Sequence, residues 1–537
     1  MKRLRIPIIL SLLIGLFAST FSYAGSVSSY QDMKLALTGK SSKQKIQAME
    51  WLSSQPDQEL SHSVLQAWLD GELYYDQSLQ QLFVISKLAE TQTAHDVQTD
   101  ERVTITNTRQ YKKVRINNRL RKEVRSELAQ MGLSSKDDSI RLQAVQSLIG
   151  NTDEQVIEAI RIAIDSESVA DIKKEMTLAI SAYDALANNP EVQLAAIEQL
   201  SGYKHAIVFS RLNEVIRTSS YEESIAAAEK GIDQYQQSQR LYSGIETAFF
   251  GLSMGSILVL AAIGLAITFG VMGVINMAHG ELIMIGAYTT YVMQLLMPNH
   301  LGLSLALSIP MAFLVSGAVG IAIERGVIRH LYGRPLETLL ATFGLSLILQ
   351  QAIRSIFSPL NRSVATPDFM SGVLQINPML SFTYNRLYIV LFCFAVFLAL
   401  VALLKKTPLG LQVRAVSQNR SMAKAMGIRS ERVDAMTFGL GSGVAGVAGV
   451  ALSQLTNVGP NMGQAYIIDS FMVVVFGGVG NLWGTLVAGL GLGIFNKVLE
   501  PWAGAVLAKI LVLVFIILFI QKRPRGLFPQ RGRAAES

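Results

Sequence analysis

The sequence predicts an all-α protein: a polytopic membrane helical bundle of about eight or nine passages, preceded by an exported helical domain in which a HEAT-like stacking is expected. Three observations carry that expectation. Half of the 537 residues are hydrophobic and only 16% are charged, the balance of a chain that faces lipid over much of its surface. Long apolar runs crowd the second half, whereas the first half is polar with helical periodicity. A basic and then apolar leader opens the chain. The expected divisions are 1–24 for a signal peptide, 25–240 for the exported domain and 245–537 for the membrane domain.

At the N-terminus Lys2, Arg3 and Arg5 precede an apolar core from Ile6 to Phe17, and Ser22-Tyr23-Ala24 follows the small-x-small cleavage rule. This reads as a secretory signal peptide. An uncleaved anchor is the alternative, but the core is shorter than the ~20 residues a span needs. Either way the next segment is exported. Cys393 is the single cysteine and lies in an apolar run, so the exported domain has to fold on a hydrophobic core without disulfides.

From Gln31 to Gln239 three windows resemble one another: Ile46–Leu52, Leu142–Leu148 and Leu194–Leu200. Each sets an apolar residue, a small Ala and a Leu on one helical face. Asp137-Asp138-Ser139 and Asn188-Asn189-Pro190 stand before the second and third windows as helix starts. Helix pairs stacked in a solenoid follow from this pattern; an irregular helical bundle is the alternative, because the spacing between windows is uneven. Asp96 to Arg125 breaks the pattern with Val103-Thr104-Ile105-Thr106 and many charges, and reads as a loop or short hairpin. Gly25 to Gly244 carries a net charge of about −6, so the chain's basic excess belongs to the apolar half.

Apolar runs there cover Ile245–Phe269, Ile275–Met297, Leu301–Ile323, Leu336–Phe357, Leu387–Leu404, Val433–Leu455, Ile467–Gly480, Leu482–Val498 and Ala505–Ile520. Nine passages beginning outside put Arg325, Arg329 and Arg334, the loop after Lys405, and Lys522, Arg523 and Arg525 on the cytoplasmic side, in line with the positive-inside rule. A re-entrant turn around Gly477–Gly484 would change the count. Glycine marks the helix contacts: the Gly251/Gly255 pair, Gly443, Gly446 and Gly449, and Gly477, Gly478, Gly480 and Gly484.

Polar residues inside apolar runs are costly, which makes them pathway candidates. Asn276, His279 and Glu281 open the second run, Gln350 and Gln351 lie within the fourth, and Asp469 opens the seventh. Capping of a helix by the first three, pairing of the two glutamines with neighbouring helices, and a headgroup position for Asp469 are the structural alternatives. The basic stretch from Lys405 to Val433 holds Ala415, Asn419, Ala423 and Gly427 at four-residue spacing beside Arg414, Arg420 and Lys424. On one helix that spacing makes a narrow, small-residue face suited to docking a protein; a plain topology-setting loop is the equal alternative. No aromatic residues interleave the basic ones as nucleic-acid binding would require. The six histidines are scattered and no HExxH or Cys/His cluster exists, so neither a metal nor another cofactor is expected, and no enzyme activity. A sensory receptor would need an output domain, for which the tail after Ile520 is too short.

Four motifs, Gly273–Glu281, Gly410–Ile428, Phe476–Asn481 and Arg523–Pro529, resemble in sequence and order the LivH-type permeases of branched-chain amino acid ABC importers. The likeness covers Ile245 to Arg533. The long exported extension, Ala266–Gly270 and Asp469–Val475 look like the urea-transporter branch of that family. The resemblance implies a permease of the bacterial inner membrane that imports urea, with branched-chain amino acids as the alternative solute, and a second related permease, two ABC ATPase subunits and a periplasmic solute-binding protein as partners. It further implies that Gly410, Arg414, Ala415, Asn419, Ala423 and Gly427 form a coupling loop seated on an ATPase. ATP hydrolysis is not expected of this chain, since Gly39-Lys40-Ser41 has Lys34 where the first glycine of a phosphate loop belongs.

Overall fold

In the computed structural model the described residues are 27–528, apart from 56–57, 77–80, 87, 89–91, 100 and 106. The expected signal peptide lies outside them. The chain divides into two compact units, Met1–Gln236 and Gln237–Ser537.

The first unit begins with α1 (Tyr30–Thr38), α2 (Ser42–Ser53) and α3 (Gln58–Asp70). It continues as α4 (Asn118–Gly132), α5 (Asp138–Leu148), α6 (Glu154–Ser166), α7 (Ala170–Asp184), α8 (Pro190–Ser201) and α9 (Ala206–Thr218). The three related windows fall on α2, α5 and α8, and each buries its third, fourth and seventh residues: Ala48, Met49 and Leu52; Ala144, Val145 and Leu148; Ala196, Ile197 and Leu200. Side-chain caps start the helices where the polar clusters predict. Asp137 accepts from the Ser139 amide at 2.8 Å and Asn189 from the Glu191 amide at 3.0 Å, each satisfying an otherwise orphaned donor. Arg141 makes a forked pair with Glu167 at 2.8 and 3.1 Å, and Glu167 also accepts from the amides of Ser168 and Val169. The Arg141 bonds hold the Glu167 carboxyl at about 2, against a smaller opposing effect of burial.

The all-helical expectation needs correction between α3 and α4. Strands β1 (Leu73–Asp76), β2 (Leu82–Val84), β3 (Thr93–Asp96), β4 (Arg102–Thr104) and β5 (Tyr111–Lys113) form an antiparallel sheet in the order β4-β3-β2-β1-β5. The stretch from Asp96 to Arg125, expected as a loop or short hairpin, instead holds β4, β5 and the start of α4, and it opens on a turn at Asp96, whose Oδ1 accepts from the amides of Gln98 and Thr99. Phe83, Ile85, Ala94, Ile105 and Tyr111 pack together with Tyr74 against them, Phe83 and Tyr111 edge-on at 5.4 Å.

α10 (Glu222–Met272) extends into the second unit, which adds α11 (His279–Leu296), α12 (Leu301–Gly326), α13 (Pro335–Phe357), the hairpin β6 (Val373–Asn377) and β7 (Leu380–Thr383), and α14 (Tyr384–Lys406). Two short helices, α15 (Pro408–Gln418) and α16 (Arg420–Ala425), lead to α17 (Ser430–Ser453), α18 (Met462–Gly477) and α19 (Leu482–Lys522). Each predicted apolar run lies on a helix. Among the described residues six helices, α10, α12, α13, α14, α17 and α19, are long and apolar enough to cross a membrane, and α18 is a shorter apolar one. The last two runs share α19, which is interrupted at Gly504 (φ 75°) just after Pro501.

α17 is the buried centre of this unit, and glycine sets how close its neighbours come. A Cβ on Gly286 of α11 would overlap the Gly446 carbonyl, and one on Gly441 would stand 2.6 Å from the Gly264 carbonyl of α10. Apolar contact gains little in lipid, so close backbone packing has to hold such helices together.

Candidate functional site

Three helices converge on Glu281 in the first turn of α11. Its Oε1 accepts from Ser346 Oγ at 3.0 Å and from Gln350 Nε2 at 2.7 Å, both on α13. Its Oε2 is buried with no hydrogen-bond partner. The third side of the carboxylate is Gly463 of α18, where an added Cβ would lie 2.7 Å from both Cδ and Oε2. Gly463 therefore packs directly against the carboxylate, closer than any side chain there would allow. Glu281 is 1% exposed and Gln350 3%, so this is a polar cluster inside an apolar bundle. Each such group costs free energy unless it is hydrogen-bonded or used.

Next to Glu281, His279 is fully buried and its Nε2 lies 2.9 Å from the Ala261 carbonyl of α10. Asn276 is buried and folds back to accept from the Ala278 amide at 3.0 Å, which turns the chain into α11. Of these candidates Glu281 and Gln350 bond directly, and Asn276 lies in the turn that meets α13 through the Met277 amide, whereas His279, about 200° around α11 from Glu281, faces α10. Gln351 is exposed on a different face of α13 and does not join them. Asp469, buried on α18, pairs instead with Lys509 of α19 at 3.4 Å.

Sequence reasoning missed the stripe that frames this cluster. The four fully buried residues of α13 are Thr338, Thr342, Ser346 and Gln350, one every four residues, and Arg354 continues the row. Thr342 Oγ1 accepts from the Met277 amide at 3.1 Å, and Arg354 donates to Asn461 at 2.6 Å. The other faces of α13 expose Leu336, Leu340, Leu347, Ile348 and Ile356. A hydroxyl or amide at every fourth position was the available signal, and it reads as a helix that turns its polar edge inward.

The basic loop differs from one continuous helix. It breaks at Asn419 (φ −152°), whose side chain caps α16 by accepting from the Met422 amide at 3.0 Å. The small residues face their own bundle: Gly410 sits against the Leu404 carbonyl, Ala423 is buried with Val413, Val416 and Val433, and Ala415 and Asn419 are half-buried. Gly427 ends the loop at φ 86° with open space around it. Solvent is met by Leu411, Met422 and Met426, at 64%, 60% and 78% exposure, among exposed Arg414 and Lys424. Arg420 forks onto Asp434 of α17 and stacks 3.9 Å over the Tyr332 ring, tying the loop to two helix ends.

Two other quoted motifs meet. The amides of Leu527 and Phe528 donate to the carbonyls of Phe476 and Gly477 at 2.9 and 3.2 Å, and Asn481 Nδ2 donates to the Phe528 carbonyl at 3.2 Å. The tail thereby closes the glycine turn between α18 and α19.

Residues 247–520 match the family described as the branched-chain amino acid transport system permease component. The high-affinity branched-chain amino acid transport system permease protein LivH of Escherichia coli is 30% identical over 293 residues, covering 53% of this chain and 94% of that protein. BraD of Pseudomonas aeruginosa, carrying the same description, is 29% identical over 296 residues, 53% of this chain and 96% of its own length. A probable LivH of Methanocaldococcus jannaschii is 27% identical over 283 residues, 51% and 88% of the two chains. No solved structure matches the chain. With the match spanning every helix that carries the Glu281 cluster and the basic loop, the chain is a multi-pass membrane protein and belongs to the permease-component family of branched-chain amino acid transport systems.

Proposed function

We propose that this chain is the permease subunit of an ABC importer for branched-chain amino acids, and that the Glu281 cluster lines the solute's path. The observation that carries this reading is the unpartnered Glu281 Oε2, a buried acceptor that none of the bundle's own donors satisfies. A zwitterion needs an acceptor for its ammonium and a donor for its carboxylate. Glu281 supplies the first. Arg354, one turn beyond Gln350 and so about 6 Å further along α13, supplies the second through donors that Asn461 leaves over.

A second reading, urea, rests on the resemblance of Ala266–Gly270, Asp469–Val475 and the exported extension. Urea is neutral and would use Gln350, Ser346 and Asn276 as amide and hydroxyl partners without needing Arg354. Uptake of labelled leucine and labelled urea by the complex in proteoliposomes separates the two. ATP-dependent leucine uptake supports the first reading, urea uptake alone the second, and neither solute moving overturns both.

The partners in this reading are a second related permease, two ABC ATPases and a periplasmic solute-binding protein. The topology has nine passages with the first unit in the periplasm and the C-terminus in the cytoplasm of a bacterial inner membrane. The ATPase would meet the outer side of the basic loop, with Leu411, Met422 and Met426 as apolar contacts and Arg414 and Lys424 at the rim. Arg420–Asp434 ties the loop to α17, and α17 packs backbone to backbone on α11, which carries Glu281. ATPase closure would move α11 and α13 against each other by that route and turn the site from one side of the membrane to the other.

A further inference from the structure

The first unit holds a cavity of about 840 Å³ between the end of α1, the start of α2 and the β5 edge of the sheet. Five cations line it: Lys40, Lys45, Lys112, Lys113 and Arg115. Among the described residues no carboxylate pairs with any of them, although the segment from Gly25 to Gly244 is net acidic. Lys45 is the telling member. It is only 6% exposed, and its ammonium donates to a neutral acceptor, the Arg115 carbonyl at 2.8 Å, with the Trp68 ring 5.9 Å away. A buried ammonium is normally neutralised by a counter-charge, because desolvation costs far more than one neutral hydrogen bond returns. Burial, and after it the nearby Arg115 guanidinium, push the Lys45 ammonium below the ordinary lysine range. α2 also opens on this cavity without a carboxylate in its first turn, and Ser41 makes no side-chain cap bond there. The free amides of that turn add positive potential to the five side chains.

We infer that this cavity is a binding site for a small molecule carrying two or more carboxylate or phosphate groups, with Lys45 as its buried counter-charge. The volume is that of a small-ligand pocket, larger than one inorganic ion requires. Leu37, Tyr75 and Val114 give it an apolar wall, so an organic body can be held as well as its charges. Phosphate can come from a free solute or from a lipid headgroup, and the test distinguishes the two.

The full-length chain in phosphatidylcholine nanodiscs is titrated calorimetrically with citrate and with inorganic pyrophosphate. Saturable binding is expected, weakening as salt rises, and about tenfold or more weaker in the exposed double variant Lys112→Gln/Arg115→Gln. Lys45→Met should lose binding altogether, while Lys136→Gln, an exposed lysine away from the cavity, should keep it. Loss of soluble-anion binding in discs containing cardiolipin, whose headgroup carries two phosphates, assigns the site to a headgroup, and retention assigns it to a free solute. The inference is overturned if neither anion binds saturably, if the Lys112/Arg115 variant binds as the parent does, or if only a Glu-rich peptide binds, which would mark a protein-docking surface instead.

Discussion

Replacing Gly255 by alanine adds one methyl group at the contact between α10 and α19, and the structure sets both the sign and the size of the effect. The new Cβ would stand 2.8 Å from the Gly489 carbonyl oxygen, 2.8 Å from Leu490 Cα and 3.1 Å from the Leu490 carbonyl oxygen. All three are backbone atoms, so no side chain can swing away. Ordinary contact begins near 3.4 Å, and the helices must part locally by about 0.6 Å, a gap that forfeits a quarter to a half of the dispersion well of each contact it opens. The expected destabilisation is about 1–3 kcal/mol, the range for overpacking a tight interior. Equilibrium unfolding of the purified protein in mixed micelles measures it. Gly344→Ala on α13 is the control: nothing lies within 4 Å of its Cβ, and the higher helix propensity of alanine predicts neutrality or a gain of up to about 1 kcal/mol. If Gly255→Ala unfolds with the parent, or Gly344→Ala loses as much, backbone contact is not what orders this bundle.

Met426→Glu should leave the permease inserted while ATPase co-purification and solute-stimulated ATP hydrolysis fall; unchanged hydrolysis would show that the outer side of the loop is not the contact. Ala423→Glu should behave differently, lowering the melting temperature of the permease itself, because Ala423 is packed among Val413, Val416 and Val433. Arg420→Ala strands the buried Asp434 carboxylate and should cost about 3 kcal/mol, with Asp434→Asn in the same chain restoring part of that stability; equal unfolding of the single and double variants would refute the pairing. Glu167 is depressed from 4.5 to about 2 in the folded state, so the unfolded chain takes up the proton first and the stability from its pairing with Arg141 is present above pH 4.5 and lost as pH falls toward 2. Hydrogen exchange of the α6 and α7 amides, normalised to peptide rates, should show that loss in the parent and lack it in Glu167→Gln.

The helical parts of this fold were legible because their signals are long. Windows on α2, α5 and α8 bury the same three offsets that their repeats imply, and the nine apolar runs all fall on helices. The sheet was not legible, since β2, β4 and β5 have three residues each and Arg102-Val103-Thr104 or Tyr111-Lys112-Lys113 is too short to show alternation. At the site, polarity within apolar runs pointed to Asn276, His279, Glu281 and Gln350, but hydropathy alone cannot say which side of α13 faces inward. Gln350 and Gln351 are adjacent in sequence and end on different faces, 100° apart on a helix. Gly463 was invisible because its contribution is the absence of a side chain beside Glu281. In the basic loop the four-residue spacing was real, yet the same small residues that suit docking also suit packing, and the break at Asn419 turned them inward. The urea reading came from short motifs, whereas the relatives matched over residues 247–520 are described as branched-chain amino acid permeases.

The most direct test is ATP-driven leucine uptake by the reconstituted complex with Glu281→Gln in place of the parent permease. That exchange keeps the size of the side chain and its contacts with Ser346 and Gln350 but removes the charge at Oε2. Uptake should fall by about tenfold or more, for a lost charged hydrogen bond to the solute, while insertion and ATPase binding stay intact. Uptake at the parent rate would contradict a solute path lined by Glu281.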